Sequence, residues 1–137
     1  QYMRNEDAQR LTLPPISPAA PGALYQQIVD GIKREISEGR LAPGAALPSF
    51  RNLAEDLLVS LITVKRAYEE LEREGIIYRK QGLGTFVSEN GAARSRAAKR
   101  AKTEALLREA AREGAEAGLG DRELQELFRR VLEQRRD

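Results

Sequence analysis

From residue 23 to residue 89 the apolar positions change period several times, and each change marks an element. Over Ala23 to Glu38, Leu24, Ile28, Val29, Ile32 and Ile36 recur at the spacing of one helical face, and Gly39 stands where a left-handed residue would close the helix. Leu41-Ala42-Pro43-Gly44 reads as a turn, and Pro48-Ser49 as the entry and cap of a short second helix with Leu53 and Leu57 facing inward. After a break at Leu58-Val59, Ser60 is placed to cap a third helix whose inward stripe is Val64, Ala67, Tyr68 and Leu71, and Gly75 ends it. Then Ile76-Ile77-Tyr78-Arg79 and Thr85-Phe86-Val87-Ser88, both β-rich, flank the glycine-bearing loop Lys80-Gln81-Gly82-Leu83-Gly84 and predict a hairpin.

Beyond Asn90 the chain turns to Ala, Arg, Lys, Glu and Leu, which favours helix from about residue 92 to 117. Its continuity through Gly114 and Gly118 is open, since a glycine costs about 1 kcal/mol in a helix interior. Asp121 is expected to cap a last helix with the stripe Leu124, Leu127, Phe128, Val131 and Leu132. At the other end, residues 1 to 22 carry four of the six prolines and little apolar periodicity, so a flexible arm is expected there, with Met3 a candidate native start. The fold class is therefore mainly α with a small β-hairpin: a winged helix-turn-helix over 23–89, followed over 90–137 by a two-helix dimerisation element.

Composition narrows the function. With no cysteine and no histidine among its 137 residues, the chain has no disulfide, no Cys/His zinc site and no histidine base or triad. A carboxylate hydrolase would need paired acids converging on a cleft, whereas these acids lie on helix faces spaced for solvation or for pairing with Lys and Arg. No enzyme activity and no cofactor are expected. Nothing resembles an apolar run of about 18 residues or a secretory leader, which points to a cytoplasmic protein without membrane contact. The net charge is only +2, from 23 Lys+Arg against 21 Asp+Glu, so any choice of partner comes from where the charges sit.

At six places in order the residues resemble the bacterial GntR family. These are Leu24-Tyr25-Gln26-Gln27-Ile28, Gly39-Arg40-Leu41-Ala42-Pro43-Gly44, Leu47-Pro48-Ser49-Phe50-Arg51, Ser60-Leu61-Ile62-Thr63-Val64, Ala67-Tyr68-Glu69-Glu70-Leu71-Glu72 and Gly82-Leu83-Gly84-Thr85-Phe86-Val87. Only about fifty residues follow the hairpin, as in the short YtrA-like branch, where two helices serve dimerisation. The resemblance implies a transcriptional regulator, with DNA contacts from Arg51, from Ser60, Leu61, Ile62, Thr63 and Lys65, and from Gln81 and Gly82 at the wing tip.

The residues carry a matching physical logic. Uncapped N–H groups and the positive end of the third helix lie near Leu61, Ile62 and Thr63, where a phosphate or base edge is favoured. Lys65 and Arg66 sit in the first two turns, while Glu69, Glu70, Glu72 and Glu74 crowd the other half, so only the N-terminal half suits DNA. Arg51 suits a bidentate contact to phosphate or guanine, and Gly82 admits close backbone approach. Leu61 and Ile62 stand where many relatives are polar, which leaves thymine methyl groups as their readout. Plainer roles compete: Arg51 pairing with Glu55, Lys65 and Arg66 with Glu69 and Glu70, Gln81 as a turn residue, Tyr68 as core. The run Arg94, Arg96, Lys99, Arg100 and Lys102 is either a solvated face or a set of phosphate contacts.

One three-to-four-residue readout discriminates poorly, so two half-sites and a homodimer are expected. Leu124, Leu127, Phe128, Val131 and Leu132 are the candidate interface, against the alternative that they pack on their own wing domain. Such a dimer suits an inverted-repeat operator, and repression is the default outcome when an operator overlaps a promoter. A small-molecule effector between the C-terminal helices, lined by Phe128, is a further possible partner. The competing class is a winged-helix module that binds protein; it would keep every apolar stripe and have no use for Arg51, Lys65 and Gly82.

Overall fold

In the computed structural model, which describes Leu11, Leu13 and residues 23–136, the described elements run α1 (Leu24–Ser37), α2 (Phe50–Leu57), α3 (Leu61–Arg73), β1 (Ile77–Lys80), β2 (Gly84–Val87), α4 (Gly91–Glu116) and α5 (Asp121–Arg136). The chain divides into two compact units, Gln1–Ala98 and Lys99–Asp137.

In the first unit every expected stripe becomes one core. Ile28, Val29, Ile32 and Ile36 of α1 meet Leu53 of α2, Val64, Ala67, Tyr68 and Leu71 of α3, and Ile76, Ile77 and Val87 of the hairpin. Burying each such aliphatic side chain contributes about 1.5–3 kcal/mol, which is why short helices that would be marginal alone persist here. Helix α1 ends with Gly39 at φ 83, and α3 with Gly75 at φ 73. Ser49 accepts from the Asn52 N–H at 3.1 Å to cap α2, as expected.

Polar groups inside the unit are matched. Lys33 and Glu74 pair at 3.0 Å, tying α1 to the C-terminal end of α3, and the buried Ser95 hydroxyl donates to the Lys33 carbonyl at 2.9 Å. The Tyr68 hydroxyl donates to the Pro48 carbonyl at 2.8 Å, and its ring meets Phe50 edge-on at 5.1 Å. The core role expected for Tyr68 thus holds.

Burial raises the Tyr68 phenol above its ordinary pKa of 10.0, so the folded state holds the proton more tightly than the unfolded state. The resulting stability is complete below about pH 10 and is lost as pH climbs toward the folded value. Tyr68→Phe is expected to lose about 1 kcal/mol at neutral pH through the missing hydrogen bond. It should also lose less stability than the parent between pH 8 and pH 11, as read by urea unfolding.

The hairpin pairs Ile77 with Val87 and Lys80 with Gly84, and is antiparallel. Its sheet has one addition that the sequence reading lacked. Residues after the 41–44 turn lie along β2: Ala46 bridges Phe86, Val87 N–H donates to Ala45 O at 2.9 Å, and Leu47 N–H donates to Thr85 O at 2.8 Å. That bridge anchors the entry of α2 to the wing. The arm expected over residues 1–22 lies mostly outside the described residues, but Leu11 and Leu13 pack against the core. Leu13 sits on α1 where Gly31 has no Cβ; an added one would be 2.9 Å from its methyl carbon. Leu11 and Leu13 are the two described residues of that stretch, and the rest of the expected arm lies outside the described residues.

In the second unit α4 runs through Gly114 and ends at Glu116, two residues before Gly118, which adopts φ 83. Leu119 N–H returns to Gly114 O at 2.9 Å and Gly118 N–H to Ala115 O at 3.0 Å, a left-handed closure that accounts for two end carbonyls. Gly114 is tolerated inside the helix where Leu124 lies against it; a Cβ there would be 3.2 Å from a Leu124 methyl. Asp121 is not the cap of α5 but its first residue; Gly120 precedes it, and the Glu123 carboxylate accepts from the Gly120 N–H at 3.3 Å. Both acids still complement the positive end of the helix.

Candidate nucleic-acid interface

The helix-turn-helix is built by two caps and a left-handed residue. Leu58 closes α2 at φ 57, ψ 46, and two residues later Ser60 opens α3, accepting from the Thr63 N–H at 3.2 Å. The Ser60 and Thr63 hydroxyls are themselves 2.8 Å apart and hydrogen-bonded. Because Val64, Ala67, Tyr68 and Leu71 face the core, Leu61, Ile62 and Lys65 are turned outward. The N-terminal turn of α3 is thus on the surface, but the expectation of uncapped N–H groups is corrected at Thr63, whose N–H is taken by the Ser60 hydroxyl.

The charges around this turn take up distinct positions. Arg51 is exposed, and among the described residues neither it nor Lys65 forms an ion pair; the Arg51–Glu55 and Lys65–Glu69 pairings do not form. Arg66 is held by Tyr25 of α1, its guanidinium 3.8 Å from the ring centroid, rather than by Glu69 or Glu70. Two of the acids farther along are engaged: Glu70 pairs with Arg73 at 2.5 Å, and Glu74, just past the helix, with Lys33. This leaves the N-terminal half of α3 the basic half.

The wing tip, Gln81-Gly82-Leu83, is closed by Leu83 N–H to Lys80 O at 2.9 Å, with Gly82 at φ 77 and open space around its α-carbon. A residue with a side chain would strain that turn and thicken it. Two features escaped the sequence reading. Arg79 on β1 lies 4.9 Å from the Phe50 ring centroid, which places a wing cation beside the start of α2. Tyr78 and Phe86 stack across the two strands at 5.6 Å. Strand alternation would have put Arg79 on one face, but not which aromatic it meets.

Within the basic run, Arg94 lies over Gly75 and Arg96 donates to Ser37 O at 3.4 Å, so both side chains are drawn to their own unit. In the second unit Leu127, Phe128 and Val131 are 44–49% exposed, as are Leu106 and Leu107 of α4 at 55% and 44%. Neither helix has a buried apolar residue in this stretch, and charged neighbours such as Arg129, paired with Glu126 and Glu133, occupy the rest of the surface. A concavity of about 430 Å³ is lined by Leu119, Arg122, Glu123, Glu126, Leu127 and Arg130, and Phe128 is not among its walls. No helix among the described residues is long and apolar enough to cross a membrane, and among them no cluster of acids is suited to hold a metal ion.

A capped helix-turn-helix with an outward N-terminal turn on its second helix, backed by a hairpin wing, defines a winged helix-turn-helix DNA-binding protein. Comparison with known proteins agrees. The family model for bacterial regulatory proteins of the gntR family matches residues 24–87. A GntR family transcriptional regulator from Listeria monocytogenes superposes with a TM-score of 0.65 at 30% identity, covering 83% of this chain and 97% of that one. The chain belongs to the GntR family of bacterial transcriptional regulators.

The HTH-type transcriptional repressor YtrA of Bacillus subtilis is 44% identical over 75 residues, which is 55% of this chain and 58% of that protein. The match therefore spans little more than half of that curated relative. The AraR DNA-binding domain, solved in complex with operator ORE1, superposes with a TM-score of 0.50 at 28% identity, covering 56% of this chain and all of that domain. These relatives are named as regulators, in keeping with a chain that is not an enzyme.

Proposed function

We propose that this regulator is a homodimeric repressor that binds an inverted-repeat operator. Residues 23–89 are the DNA-binding part on this reading, and residues 90–137 the dimerisation part. The observation that carries it is the outward N-terminal turn of α3, with Arg51 and Lys65 exposed beside it and, among the described residues, without ion pairs. Arg51, Ser60, Leu61, Ile62, Thr63, Lys65, Arg66, Gln81 and Gly82 are the contact set. Among these, Arg66 reaches the backbone from its seat on Tyr25, and Gly82 lets the wing loop approach the adjacent minor groove.

The homodimer rests on the uncovered stripe of α5. An exposed run of Leu127, Phe128 and Val131 is a surface that water penalises and a symmetry mate relieves. Recognition helices about 34–36 Å apart then read successive major grooves on one side of a duplex. The curated relative is named a repressor, which supports that sign of regulation.

Selection of bound sequences from random duplex DNA at near-physiological salt tests this reading. A two-fold symmetric site, with affinity falling steeply as salt rises, is the expected product. Recovery of no preferred sequence would leave a non-specific binder or a protein adaptor.

A further inference from the structure

The first turn of α3 presents carbon where a DNA reader ordinarily presents hydrogen-bonding groups. Leu58 is the one non-glycine among the described residues with a positive φ, a conformation that glycine adopts freely and that a Cβ disfavours. Its side chain is 91% exposed, so no packing within the chain offsets the strain. The turn itself uses that conformation, with the Leu58 N–H closing α2 on the Ala54 and Glu55 carbonyls, so what has no role within the fold is the exposed leucine side chain.

Two more apolar side chains share that surface: Ile62 is 77% exposed and Leu61 43%. The neighbouring hydroxyls of Ser60 and Thr63 are bonded to each other within the cap. An open concavity of about 540 Å³ joins these elements, lined by Arg51, Ala54, Glu55, Leu58, Val59 and Leu61. The Glu55 carboxylate on its wall disfavours a phosphate at that spot, so the surface fits an uncharged apolar group while Arg51 and Lys65 serve the charged backbone around it.

The major-groove edge of DNA carries one apolar group, the thymine C5-methyl. We propose that Leu58, Leu61 and Ile62 read thymine methyl groups in each operator half-site, an inference that rests on the operator-binding reading above. Hydrogen-bonded base readout then falls to Arg51, Lys65 and the wing, and the half-site must hold thymine under the first turn of α3.

The test uses the operator obtained by selection, resynthesised with each half-site thymine replaced in turn by deoxyuridine, which keeps every hydrogen bond and lacks only the methyl. Full-length protein is expected to lose about 4-fold in affinity for each methyl that it buries, at one to three positions. Leu58→Gly and Ile62→Ala should each bind the thymine duplex more weakly and lose the distinction from deoxyuridine at the position that side chain covers, with helix content by circular dichroism unchanged. Equal binding of both duplexes at every position overturns the methyl reading while leaving operator binding intact, and so does a selected half-site without thymine. A change of oligomeric state in Leu58→Gly or Ile62→Ala would assign the patch to a protein contact instead. Selection that yields no sequence at all overturns the operator reading and this one together.

Discussion

On the proposed homodimer, Phe128→Asp with Val131→Asp is expected to leave a monomer and to weaken operator binding by a factor on the order of 10²–10⁴. Phe128 and Val131 lie on the same face of α5, half uncovered, with Leu127 on the far side of Val131. Two carboxylates there would be forced against two more across a symmetric interface, and burial of an unpaired charge is unfavourable by several kcal/mol. The wing domain has its own core, so its circular dichroism melt should move little. Without the second subunit each half-site is bound alone and the gain from linkage disappears. Sedimentation combined with a gel-shift titration measures both quantities, and a double variant that stays dimeric would remove the interface from α5.

Arg51→Ala is expected to lower operator affinity by about 5- to 150-fold, the effect of about 1–3 kcal/mol for a good bidentate contact. Thermal stability should be nearly unchanged, because Arg51 is exposed and, among the described residues, forms no ion pair with Glu55 or any other acid. If the contact is to phosphate, the salt slope falls by about one and all sequences weaken alike. A contact to guanine instead relaxes preference at one base pair. Fluorescence anisotropy across a salt series separates the two, and full affinity in the variant would favour the protein-adaptor reading.

Much of this site was legible from local pattern. Ser49 and Ser60 announce caps because a hydroxyl before an apolar helical period has one favourable use, and the stripe from Val64 to Leu71 identifies the outward face of α3 by elimination. Gln81-Gly82 marks the wing tip because the loop needs a positive φ. Other features depend on partners far away in sequence. Local spacing offers Arg66 acids one turn along as an alternative to DNA, yet Tyr25, forty-one residues earlier, holds it. Arg79 found Phe50 in the same way. The local rules also failed at α5, where Asp121 and Gly120 compete for the cap: Gly120 takes the position outside the helix, and Glu123 supplies the carboxylate that reaches back.

Periodicity and capping chemistry, both encoded within four residues of any position, determined the helices, the hairpin and the outward face of the reading helix. Tertiary structure alone decided the Ala46 bridge to the wing, the seat of Arg66 and the meeting of Arg79 with Phe50. The reason is physical: hydrogen bonds to backbone and contacts between rings and cations are set by which surfaces meet, and that is a property of the packed core rather than of any segment's own pattern.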